Sequence, residues 1–130
     1  MAFIQKDTLI YDELRDVIPV ANVDKGEAAV VQDVFGFYMN DWNTTDDDLD
    51  YVVFVYRMRQ VLADKATGTG EEISAGEKVY YYPATDVISS NPVGTAGTDY
   101  YFCGWAKEDA TAAATTVIIN FDGTRYNEDI

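Results

Sequence analysis

The side chains that most enzymes and metal sites rely on are thinly represented in this chain. There is no histidine, which removes the commonest general base, the commonest metal ligand and every Ser-His or Cys-His pair. The single cysteine, Cys103, sits between Phe102 and Gly104 and reads as a small buried hydrophobe rather than a nucleophile. One stretch is rich in oxygen ligands that would suit calcium or magnesium: Asp41, Asn43, Asp46, Asp47, Asp48 and Asp50. An EF-hand loop counted from Asp41 would need glycine and glutamate where the chain has Asp46 and Val52. The stretch therefore reads as a solvated acidic loop, and no metal is assigned to it. Gly68-Thr69-Gly70 lacks the lysine and following helix of a phosphate loop, and Asn43-Thr44-Thr45 matches only the short N-glycosylation pattern. Arg57 and Arg59 beside Tyr56 form the one local cation–aromatic group, for which a cross-strand salt bridge is the expected use. Nothing singles out a carboxylate pair for glycoside chemistry among the 23 acidic residues. The chain reads as a non-enzyme, with no catalytic, cofactor or metal residue assigned.

Short strands must carry whatever these residues do. Residues 51–62 alternate most clearly, with Val52, Phe54, Tyr56 and Met58 on one face and Arg57 and Arg59 on the other. Further strands are expected at 28–32 (buried), 34–39, 78–82, 86–89, 99–107 and 116–121, separated by Gly, Asn, Asp and Pro turns. Gly36 inside a strand predicts a bulge or a close backbone approach. Ala75-Gly76 predicts a turn leading into Val79, Tyr80, Tyr81 and Tyr82, closed by Pro83. Residues 1–20 read as an extended apolar arm ending in a short strand at 17–20, and 124–130 as a polar, mobile tail. The expected architecture is all-β: a small single-domain β-barrel or β-sandwich of short antiparallel strands over residues 21–123, with an extended N-terminal arm.

At 130 residues a single domain can bury roughly two-thirds of its unfolded surface, so disulfide staples are not needed. The lone cysteine and the absence of a signal-like N-terminus suggest a reducing compartment, and no apolar run approaches the roughly 20 residues of a membrane span. The formal charge of −14 argues against direct contact with nucleic acid or anionic membranes. It leaves three uses open: a solubilising surface, adaptation to high salt, or complementarity to a basic patch on a partner.

From Lys65 onward the chain resembles the capsid cement, or head decoration, proteins of tailed phages and related viruses. The resemblance rests on Lys65-Ala66-Thr67-Gly68, then Ile73-Ser74-Ala75-Gly76-Glu77-Lys78-Val79-Tyr80-Tyr81, then Phe102-Cys103-Gly104-Trp105-Ala106. The alanine-rich 110–114 and Thr115-Thr116-Val117-Ile118-Ile119 come next, while residues 23–38 are similar to the family's opening strands. It spans about residues 8–122. The acidic loop at 40–50, the long 83–97 connection and the strong acidity depart from the pattern, and the acidity fits a virus of a halophilic host. The resemblance implies a structural virion protein, made in the host cytoplasm, that binds the outer surface of an assembled capsid and stabilises it. Its partner would be the major capsid protein, with a homo-oligomer, a trimer above all, formed on the shell. The apolar arm residues Phe3, Ile4, Leu9, Ile10 and Tyr11 would form the capsid interface by adding a strand to a neighbour's sheet. Deleting residues 2–12 is then expected to leave a folded domain that no longer binds. The competing expectation is an exposed β-module that binds carbohydrate or a host cell surface, using Asp41-Trp42-Asn43.

Overall fold

In a computed structural model, which describes residues 3–5, 13–17, 19, 21–43 and 52–130, the β-branched and aromatic runs form nine strands; the described residues contain no helix. The strands are β1 (Phe3–Gln5), β2 (Glu13–Val17), β3 (Ala28–Val31), β4 (Val34–Tyr38), β5 (Val52–Asp64), β6 (Lys78–Tyr82), β7 (Val87–Ser89), β8 (Tyr101–Ala106) and β9 (Thr116–Asp122). Their ladders are all antiparallel and make one curled half-barrel sheet, ordered β3-β4-β5-β9-β8-β6-β7, with β1 and β2 added on β5. A parallel bridge from Lys65 to Ile88 brings β7 back to the segment just past β5. The all-β expectation holds.

The 13 residues of β5 serve two half-sheets. Register shows how. Arg57 pairs with both β2 and β9, Val55 with both β2 and β4, and Leu62 with both β1 and β9. A strand has only two edges, so β1 and β2 lie end to end along one edge, and β4 and β9 along the other. Those last two meet where Phe35 N–H donates to Gly123 O at 3.0 Å and Gly123 N–H to Tyr56 O at 2.8 Å. Glycine is required at this junction. A Cβ on Gly123 would sit 1.6 Å from Phe35 O, and one on Gly36 would sit 2.2 Å from Val55 O, so the close approach expected at Gly36 is present.

Two register shifts interrupt β5, one against β2 near Glu13/Leu14 and one against β9 between Met58 and Val61. Each extra residue reverses the facing of the residues beyond it. Val55, Met58, Val61 and Ala63 therefore all enter the main core, although strict alternation would send Val55 and Met58 to opposite faces. Val52, Phe54 and Tyr56 share a second cluster with Val23, Tyr38 and Trp42, so Met58 departs from the face expected for it. A third cluster, built on Tyr80, Tyr100 and Phe102, covers the outer side of β6 and β8.

Three further expectations change. The N-terminal strand is Glu13–Val17; of the 17–20 expected, Ile18 and Val20 lie outside the described residues, and the buried Pro19, which has no N–H to give a ladder, is not in a strand. Strand β3 is only half-buried: the chain turns back tightly at Gln32 and Asp33, both with positive φ, and among the described residues β4 is the strand that pairs with it. Residues 124–130 pack back on the sheet: Phe102 N–H donates to Tyr126 O, Tyr126 meets Tyr101 edge to face, and Tyr80 Oη donates to Ile130 O at 2.7 Å.

Phe3 is 1% exposed and touches four rings: Phe35 and Phe37 of β4, Tyr81 of β6 and Phe121 of β9. The N-terminal strand thus helps build the domain's own core. Phe3→Ala is expected to cost about 3–5 kcal/mol, as for a buried ring elsewhere. Chemical denaturation checks this; a midpoint unchanged from wild type would contradict the placement of β1.

Candidate functional site

Of the arm residues expected at an interface, Phe3 lies in the core and Ile4 pairs in register with Leu62 through β1. Leu9, Ile10 and Tyr11 lie outside the described residues, as do Asp46, Asp47, Asp48 and Asp50 of the acidic loop. Asp41 accepts a hydrogen bond from Lys25 N–H at 2.7 Å, which ties two turns together. Trp42 bridges to Val23 through both backbone groups and packs half-buried on the second cluster, so it is not a free aromatic platform. Gly68-Thr69-Gly70 is a turn, with Glu71 N–H donating to Gly68 O. Arg57 Nε reaches its register partner Asp122 Oδ2 at 3.8 Å, the cross-strand pair expected; at such exposure its contribution to stability is small. No group of three or more His, Cys, Asp or Glu among the described residues could hold a metal ion.

Cys103 is fully buried, with its Sγ 3.5 Å from Val79 O, and burial pushes its thiol well up from the ordinary range. A thiolate is the reactive species, so the group is inert while the fold is closed. The tyrosines alternate along β6: Tyr81 enters the main core, while Tyr80 turns to the third cluster with Tyr82 packed beside it. Burial raises Tyr81 first, and the bond it donates to Asp86 Oδ1 at 2.6 Å raises it further. Burial is also the first cause of the upward shifts at Tyr38, Tyr80 and Tyr100.

A concave feature with convergent polar groups lies on the other side of Tyr82. It is an open cavity of about 220 Å³ between the turn at Glu71, the end of β6, and β7 with the loop after it. Tyr82, Val87 and Val93 supply apolar wall, and Glu71, Ser89 and Asn91 supply polar atoms. Ser89 Oγ donates to the Glu71 carboxylate, within 2.9 Å of Oε2 and 3.0 Å of Oε1. Asn91 Nδ2 donates to Glu71 Oε1 at 3.0 Å and to Gly70 O at 2.9 Å, while Asn91 N–H donates to Ser89 Oγ at 3.1 Å. Tyr82 Oη donates to Asn91 O and accepts from Val93 N–H at 2.8 Å. Pro92 fixes one more φ between those two anchors.

Chemically, the arrangement holds and presents one carboxylate. Ser89 donates its hydroxyl hydrogen bond to Glu71, and the chain has no imidazole to take up the hydroxyl proton. Glu71 and Ser89 are 18 positions apart, so no local spacing joins them in the sequence. Their one local signal is Ser89-Ser90-Asn91-Pro92, a turn-forming string that reads as a connection.

No family model matches the chain, no curated protein matches it, and no solved structure matches it.

The buried titratable groups carry two expected outcomes. Cys103 is expected to react with a thiol reagent only at the rate at which the domain opens, so adding denaturant should release the reaction. Immediate labelling of the native protein would contradict its burial. The raised tyrosines and Cys103 hold their protons more tightly folded than unfolded, so the unfolded chain releases protons first as pH rises. Their contribution to stability is full below the unfolded values, 9.0 for Cys103 and 10.0 for the tyrosines, and declines above them. Denaturation midpoints measured from pH 8 to 11 should therefore fall at the alkaline end; a flat profile would contradict the shifts.

Proposed function

We propose that this chain is a structural virion protein that binds the outer surface of an assembled viral capsid and stabilises the shell. The observation that carries the reading is where the segments of the resemblance come together. Ile73 and Ala110 bridge by two backbone bonds of 2.9 and 2.8 Å. Gly76 N–H donates to Ala106 O, Ala106 N–H to Glu77 O, and Ala75 N–H to Asp109 Oδ1. Lys78 pairs with Trp105, and Trp105 with Asn120 of the last strand. Segments that stand far apart in the chain thus make one interlocked half of the sheet, as expected if their ordered series is a folding signature rather than a chance string.

The partner is the major capsid protein, and copies of this chain would meet one another on the shell. A modest interface repeated over a closed shell gains avidity without a large contact at any one copy. The surface charge opposes binding to packaged nucleic acid and favours a basic outer patch on the shell.

Mixing the protein with purified empty shells and sedimenting them tests the reading. The expected result is saturable co-sedimentation at a copy number comparable to the major capsid protein. Protein left in the supernatant at every concentration, together with binding on a glycan array that Trp42→Ala abolishes, would replace this reading with the carbohydrate-binding one.

A further inference from the structure

Val93 is 71% exposed, the most exposed large hydrophobic side chain among the described residues. It is not on a slack loop. Its N–H is held by Tyr82 Oη, the carbonyl two residues earlier accepts from that same hydroxyl, and Thr95 N–H is held by Asp99 Oδ2 at 2.7 Å. A backbone fixed beside a cavity has already lost the freedom that binding would otherwise remove.

The cavity's size and charge specify what enters it. About 220 Å³ is below the roughly 300–1,000 Å³ of small-molecule sites, and closer to the space one long side chain fills. Glu71 supplies the carboxyl group that lines it, and no basic side chain pairs with that group among the described residues. Lys65, next in sequence to the lining residue Ala66, instead aims its buried Nζ at Ala66 O (2.7 Å) and Ala114 O (3.3 Å). A carboxylate offers about four acceptor positions. Two donors, Ser89 Oγ and Asn91 Nδ2, occupy part of that capacity and hold the group in a fixed orientation.

We propose that this cavity seats one arginine side chain from a protein partner, with its stem against Val87, Val93 and Tyr82 and its guanidinium on Glu71. Arginine suits the site better than lysine. Its planar, delocalised cation can donate to the carboxylate acceptor positions left open by Ser89, which bridges both oxygens, and its flat face packs on a tyrosine ring. An anionic seat on a chain of net charge −14 also draws a basic surface toward it. The seat itself stands on the geometry; naming the capsid as the source of the arginine rests on the function proposed above.

Two arms separate those claims. In the first, N-acetyl-arginine amide is titrated into the whole protein and followed by NMR, with N-acetyl-lysine amide as comparison. Saturable shifts are expected at Asn91, Val93 and the Tyr82 ring, weaker for lysine and at least tenfold weaker in Glu71→Gln, whose amide oxygen can still accept from Ser89. Val93→Ala, at an exposed position, should weaken binding several-fold with the remaining spectrum unchanged. Absence of saturable shifts at these groups, or equal affinity in Glu71→Gln, overturns the seat. In the second arm the same variants are sedimented with empty shells. Loss of binding in Glu71→Gln supports the seat, and undiminished binding overturns its role at the capsid while leaving the capsid reading intact. Arginine binding without any shell binding by wild type supports the seat and overturns the capsid as its partner.

Discussion

The fold depends on β5 being shared along both edges. One strand carries β2 and β1 on one side and β4 and β9 on the other, so the two half-sheets cannot separate without breaking ladders on β5. Its two register shifts do the second part of the task. They swing Val55, Met58 and Val61 to the same side, so that the halves close over one aromatic core instead of splaying as a flat sheet. The junction is then sealed by backbone alone, at Gly36 and Gly123, where a methyl group would overlap a carbonyl oxygen.

Much of this is legible in sequence because it arises from local patterning. The strands at 34–38, 78–82, 101–106 and 116–122 lie within two residues of where alternation and turn residues put them. What sequence does not carry is the consequence of irregularity. A bulge adds one residue and reverses a face, and no residue type in Val55 to Val61 announces it. The fate of Phe3 is hidden for a related reason. An apolar N-terminus reads as free to bind a neighbour, and only its contacts with four rings from three strands show that the domain uses it internally. The Glu71 cavity is less legible still, since it depends on three segments brought together by the curl of the sheet.

Polar chemistry in the described residues is spent on holding loops rather than on assembling reactive groups. Tyr81 is tied to Asp86, Tyr80 to the terminal Ile130, and Tyr82 to Asn91 and Val93. Consecutive tyrosines of one strand thus anchor three different connections. This division suits a rigid surface with preset contact points. A buried thiol and buried phenols that resist ionisation belong to the same design, because each stays neutral inside the core at ordinary pH.

We propose that this acidic half-barrel is laid onto the outside of a closed protein shell. Cryo-electron microscopy of empty shells saturated with the protein tests it most directly. The expected result is added density on the outer surface that fits the half-barrel, with the Glu71–Val93 face against the shell. A reconstruction of well-ordered shells with no added outer density at saturating protein would contradict the claim.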